Sequence, residues 1–275
     1  MIRLANYLLT SFLLALNYGY AQSFMTQMGA RAAGMGYASS SLKDEWAIFN
    51  NPGGLSGVEK STGAFSHDFR PAFSSANRVA ALFAQPIKQA GVWGLGLYRF
   101  GDELYNEQML STAYSNQLGI ASLGLRVNYL QLNVEGFGRR GLLGIDFGGI
   151  ASLGPQLLVA ASVQNINQMK VSSIDSEYMP AIMRAGVQLK AVDELLVCVE
   201  LEKDISQASL FRAGIEYKLY EKFFFRSGFN LNPSSLFGGI GASMKQFKVD
   251  YAFGNNYFLG SSHQATAAIY LSRKP

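Results

Sequence analysis

From about residue 60 onward the chain alternates apolar residues with polar or small ones at a period of two, the spacing of strands whose two faces meet different surroundings. Between 210 and 219, Phe211, Ala213, Ile215, Tyr217 and Leu219 share one face, while Leu210, Arg212, Gly214, Glu216 and Lys218 share the other. Phe247, Val249, Tyr251 and Phe253 stand in the same way against Lys248, Asp250, Ala252 and Gly254. The scheme recurs with Met183, Ala185, Val187 and Leu189 against Arg184, Gly186, Gln188 and Lys190, and with Leu195, Val197, Val199 and Leu201 against Cys198, Glu200 and Glu202. Fourteen strands are predicted, near 61–70, 77–86, 91–100, 107–116, 118–131, 140–152, 156–165, 180–190, 194–203, 208–219, 222–230, 236–244, 246–254 and 263–272. Near Leu130 the apolar residues change parity, which predicts a bulge or a change of environment.

Alternation alone also fits a soluble sandwich. Strand number, strand length and connection length decide between the two. Fourteen is even, and most strands approach the roughly 9 to 11 residues of a tilted transmembrane strand. Short turns at 87–90, 117, 154–155, 191–193, 221 and 245 interleave with expected longer loops at 101–106, 133–139, 166–179, 231–235 and 255–262. The fold class is therefore an all-β, transmembrane antiparallel β-barrel of about fourteen strands at residues 59–275. Closure follows because hydrocarbon leaves no partner for an open sheet edge.

Composition agrees and removes other classes. With 29 Gly, 19 Phe, 14 Tyr, one Cys and 15% charged residues, the chain is neither disordered nor a disulfide scaffold. Mean hydropathy is only +0.09, and past residue 20 no apolar run is long enough for a helical span. A net charge of +4 points to no nucleic-acid partner. Residues 1–21, with Arg3 and an apolar stretch from Leu4 to Leu16, are expected to be a signal peptide cut before Gln22.

The Gly136 to Gly141 string matches a dinucleotide fingerprint, but a strand follows it where a helix is needed. Gly29 to Gly34 has phosphate-loop spacing with Met35 in place of the required Lys. His67 and His263 are the only histidines, too few for a metal cluster or a hydrolase triad, and they read as rim residues. Cys198 reads as a space-filler. No catalytic residue, metal or cofactor is expected. The informative cluster is the polar face: Arg184, Glu200, Glu202, Arg212, Glu216, Arg226, Lys248 and Asp250, with Lys190 and Lys218. Lipid exposure would cost a few kcal/mol each near the midplane, so these side chains should face the lumen. There they either pair across strands and with Asp44 or Glu45, or form a polar gate.

The segment Gly29 to Leu55 contains Arg31, the run Gly34-Met35-Gly36, Asp44, and Asn51-Pro52-Gly53-Gly54-Leu55. It resembles the amino-terminal signature of the PorV/PorQ family of Bacteroidetes outer-membrane proteins, within the wider FadL-like barrel class. The stretches 212–217, 223–230 and 249–253 with Leu259, Gly260 and His263 are similar as well. The family's alanine after Asn-Pro is Gly53 here. The resemblance implies an outer-membrane barrel with both termini periplasmic and an amino-terminal hatch, residues 22–58, folded into the lumen. Its own composition suits that place: it lacks alternation, is rich in Gly and Ala, and ends in a Pro-Gly-Gly turn.

The resemblance implies two functions beyond contact with outer-membrane lipid. The favoured one is a non-catalytic role with type IX secretion components or exported proteins, with loop 166–179 (Met169, Ile174, Tyr178, Met179) as docking surface. The alternative is FadL-like passive transport of a hydrophobic small molecule through an apolar pocket lined by Phe24, Met25, Met28, Met35, Trp46 and Phe49, with a lateral opening.

Overall fold

The computed structural model describes residues 26–171, 178–205, 207–256 and 260–271. The expected signal peptide, Phe24, Met25 and Ile174 lie outside the described residues.

Fourteen strands form one closed antiparallel barrel, each paired with its sequence neighbours and β1 with β14. They are β1 Ser61–Phe69, β2 Arg78–Pro86, β3 Val92–Gly101, β4 Tyr105–Leu118, β5 Ala121–Val134, β6 Gly138–Ser152, β7 Leu157–Gln164, β8 Ile182–Val192, β9 Leu195–Asp204, β10 Leu210–Leu219, β11 Phe223–Leu231, β12 Ser235–Ser243, β13 Phe247–Asn256 and β14 Gly260–Leu271. Period-two alternation becomes an apolar outer wall. Phe65, Leu97, Leu143 and Ile240 are each more than half exposed there. An apolar belt of this extent belongs against lipid, and closure leaves no unpaired edge in it. No described helix is long and apolar enough to cross a membrane.

One expectation needs correction, and another resolves between its two alternatives. The connections do not sort into short and long sets. The ladders run to Gly101↔Asn106, Val134↔Gly138, Asn230↔Ser235 and Asn256↔Gly260, so four expected loops are short closures. Only 70–77 and 165–181 are long, and both lie at one end, here the loop end; the opposite end is the turn end. The polar and glycine-rich strand tips resemble loops in sequence because they rise past the apolar belt, where alternation no longer has two environments to track.

Nor is there a bulge at Leu130, since the β5–β6 register runs unbroken from Ala121↔Ala151 to Val134↔Gly138. What changes there is the surroundings. Ser122, Arg126 and Asn128 face the lumen, and so do the fully buried Leu130 and the buried Leu132 farther up. Along β5 the upper lumen is apolar, with the buried Glu107 of β4 beside Leu132.

Residues 26–58 lie inside the barrel, against the inner faces of its strands, and are called the hatch below after the place the resemblance implies for them. It holds helix α1 (Ala30–Gly34), helix α2 (Ala47–Asn50) and a 3-10 turn (Pro52–Gly57). Nearly all of it is buried. Thr26 already lies inside, its hydroxyl 3.4 Å from Arg126 Nη2.

Candidate functional site

The hatch seats where its glycines meet glycines of the wall. Around Gly34-Met35-Gly36, the facing residues are Gly214, Gly228 and Gly239; an added Cβ on Gly34 would lie 3.1 Å from Gly239 Cα. Gly36 has φ +65, a left-handed conformation natural to glycine. Around Asn51-Pro52-Gly53, the facing residues are Gly124, Gly148 and Gly149. A Cβ on Gly53 would stand 2.7 Å from Gly149 Cα and 2.9 Å from Gly148 O, so this barrel has no room for an alanine there. Asn51 fixes the turn: its Oδ1 accepts from Gly53 N at 3.0 Å, and its Nδ2 donates to Ser40 O at 2.6 Å and Gly149 O at 3.3 Å.

Ion pairs hold the opposite flank. Arg184 meets Glu202 at 2.6 Å, Arg212 meets Glu200 at 2.8 Å and Glu202 at 3.0 Å, and Arg226 meets Glu216 at 2.6 Å and Asp250 at 2.7 Å. The hatch enters this ladder directly. Arg31 binds Glu216 through two hydrogen bonds and Asp44 through one of 3.1 Å. Glu200 Oε2 accepts from the backbone N–H groups of Ser39 and Ser40 at 3.0 and 2.7 Å. Buried charges so satisfied fix position, because removing one partner leaves another desolvated and unpaired. Lys190 and Lys218 take no part; they pair with Asp193 and Glu221 at the turn end, outside the lumen.

Two further clamps had no signal in the alternation beyond inward parity. Arg126 pairs with Asp146 at 2.5 Å and donates to Ile48 O at 2.6 Å, holding α2. Arg78 pairs with Asp68 and donates to the hydroxyl of Tyr37 at 2.8 Å and to Gln27 O at 3.2 Å.

The expected apolar pocket is divided. Met28, Trp46 and Phe49 lie in one buried cluster with Ile48 and Leu55, whereas Met35 packs on the other side of the hatch with Ala38, Leu42 and Cys198. The first cluster continues upward through Tyr98, Met109, Leu130, Leu132 and Leu142 to Met169 and Met179 of the 165–181 loop. Trp46 stacks on Phe49 at 6.1 Å between centroids, and Phe49 meets Tyr98 at 6.4 Å. An apolar column thus runs from the loop end down to the hatch. It is packed, with its members 8% exposed or less. Met169 and Met179 turn into the lumen instead of forming an outer docking surface; Tyr178 is exposed.

The wall beside this column has an unusual seam. β6 has 15 residues and β7 only 8, and their register ends at Phe147↔Val163. Above it the chain substitutes Ile166 N donating to Ile145 O, and then the Asn167 side chain, which accepts from Ile145 N at 2.9 Å and donates to Leu143 O at 2.7 Å. The β2–β3 and β3–β4 ladders, by contrast, are unbroken.

At the turn end a polar cavity of about 310 Å³ lies below the hatch, lined by Arg31, Lys43, Asp44, Glu45, Lys60, Thr62, Lys248 and Tyr270 among others. Glu45 Oε1 is buried there without a hydrogen bond, 3.8 Å from Lys248 Nζ. Burial pushes the Glu45 carboxyl above the usual carboxylate range; Lys248 opposes that shift, and Asp44 and Asp250 add to it. Among the described residues no cluster of ligating side chains could hold a metal ion.

No protein-family model and no curated protein matches the chain. Solved structures do. The toluene transporter TbuX of Ralstonia pickettii aligns with a TM-score of 0.66 at 13% identity, covering 90% of this chain and 98% of that one. The toluene transporter TodX of Pseudomonas putida gives 0.65 at 12%, covering 91% and 100%. The monoaromatic hydrocarbon channel CymD gives 0.63 at 13%, covering 92% and 100%. At such identities the likeness is one of fold: a closed antiparallel barrel, here of fourteen strands.

Proposed function

We propose that the chain is a non-catalytic outer-membrane channel for small, uncharged hydrophobic molecules, with its turn end periplasmic and its loop end outside. The observation that carries the reading is the apolar column from Met169 and Met179 through Leu130, Leu132 and Met109 to Phe49 and Trp46. A purely structural lumen has no need to segregate its linings, yet here the continuous ladder of ion pairs runs over β8 to β13, while the lining of β3 to β6 carries the apolar column, with Arg126–Asp146 and the neighbouring Arg78–Asp68 as separate clamps on that side. The named activities of the similar structures, toluene and monoaromatic hydrocarbon transport, support it. Because the column is packed, passage requires the 165–181 loop and the hatch to yield in turn.

The secretion-associated role rests on the sequence resemblance to PorV/PorQ proteins alone. The inward turn of Met169 and Met179 removes half of the apolar surface that was to serve it.

The test is uptake of labelled toluene by cells that lack their own hydrocarbon channels and express this barrel. Faster entry than in cells with empty vector is expected, with loss on Met109→Arg. Equal entry in both would overturn the reading.

A further inference from the structure

The outward faces of the strands carry very few ionisable side chains apart from tyrosine. Among the described strands these are His67 on β1, Arg99 on β3, Arg139 on β6, Lys203 on β9 and His263 on β14. All five are basic, and all lie within three residues of the loop end of their strand. Among the described residues no Asp or Glu stands on the outward face of a strand; Asp102, Glu103 and Glu135 lie beyond it, in the connections at the loop end. A bilayer interface rich in water would accept either sign. A collar of one sign at one level indicates a surface matched to negative charge on a single leaflet.

The collar is most built across β14, β1, β2 and β3. Phe69 stacks on His263 with centroids 5.0 Å apart and lies 5.8 Å from the His67 ring, so one phenyl joins both histidines of the chain. Tyr251 OH sits 2.6 Å from His263 Nδ1, which leaves Nε2 as the nitrogen open to a ligand. In register, His67 lies beside Val79 and Val79 beside Arg99. One intervening strand puts the His67 and Arg99 backbones about 10 Å apart. An imidazole and a guanidinium can reach toward each other over a small Val79 with a phosphate between them. One row lower, the small Ala81 lies between the half-exposed Phe65 and Leu97, an apolar dip in which an acyl chain can lie.

We infer that the outer wall over β14 to β3 binds the phosphate-bearing headgroup of a lipid in the leaflet at the loop end, with its acyl chain in the Ala81 dip. On the orientation proposed above this is the outer leaflet, whose phosphorylated glycolipid fits; only the choice of leaflet rests on that reading. The lipid would serve as a fixed neighbour of the barrel and not as cargo, since the collar faces away from the lumen.

The experiment uses the full chain in mild detergent and native mass spectrometry with two probes, diphosphorylated lipid A and its dephosphorylated form. The phosphorylated probe is expected to be retained preferentially. Arg99→Gln should weaken it about fivefold, the roughly 1 kcal/mol of one basic side chain beside anionic lipid. The triple variant H67Q/R99Q/H263Q should abolish the preference, and Arg99→Lys should keep it. Heat-modifiable gel migration verifies that each variant is a folded barrel; if the triple variant is not, the pair Arg99→Gln and Arg99→Lys decides alone. Equal retention of both probes, a preference unchanged by Arg99→Gln, or displacement by equimolar inorganic phosphate overturns the inference. Hydrocarbon uptake plays no part in this readout, so failure of the transport reading leaves it standing.

Discussion

Arg31 in the hatch and Glu216 on β10 are joined by two hydrogen bonds of 2.9 and 2.6 Å across a sequence separation of 185 residues. Glu216 also accepts from Arg226 at 2.6 Å, and Arg31 also reaches Asp44. The pair therefore couples the hatch to the wall through groups that are satisfied only together. Arg31→Met should leave Asp44 uncompensated and weaken hatch docking by about 3 kcal/mol. Hydrogen exchange across residues 26–58 should quicken while the barrel ladders stay protected, and conductance in planar bilayers should rise. Unchanged exchange would remove the clamp from the account.

Gly53→Ala introduces a methyl group against the Gly148 and Gly149 backbone, where nothing flexible can move aside. A loss of about 1 to 3 kcal/mol in hatch docking is expected, read as earlier thermal release of the hatch. Gly154→Ala is the matched control, with no atom within 4 Å of the added Cβ, and should be silent.

Met169 and Met179 close the column at the loop end. Replacing both by Ala should shorten the plug and speed hydrophobic uptake. A decrease would mean that the methionines guide the cargo and do not obstruct it.

Glu45 makes the turn end sensitive to pH. Its raised carboxyl holds a proton more tightly in the folded chain than in the unfolded one, so its contribution to stability is greatest at acidic pH and is lost as pH rises through the raised value. Glu45→Gln should match the parent chain in acid and surpass it in thermal midpoint toward neutral pH. A constant difference across pH would assign the effect to packing.

Much of the barrel was legible in the sequence because each strand separates lipid from lumen, and that contrast is written residue by residue. All fourteen strands fall near their expected places. Inward parity of Arg184, Arg212, Arg226 and Asp250 was legible for the same reason. Their partners were not, since pairing depends on stagger between strands and on where the hatch lies. The column announced itself only as the parity change at Leu130, which has two explanations in sequence and one in space. Met35 was grouped with Trp46 and Phe49 because all are apolar hatch residues, but the backbone turn at Gly36 sends it to the opposite side.

The glycine-to-glycine seats at 34, 36 and 53 make the hatch a part that is not interchangeable. A hatch grafted into another barrel would stand off by the width of a methyl group wherever the host strands carry side chains at the positions of Gly124, Gly148, Gly214 or Gly228. Engineering the gate of such a barrel therefore means moving insert and socket as a set, with the socket residues scattered over four strands and more than a hundred positions of chain.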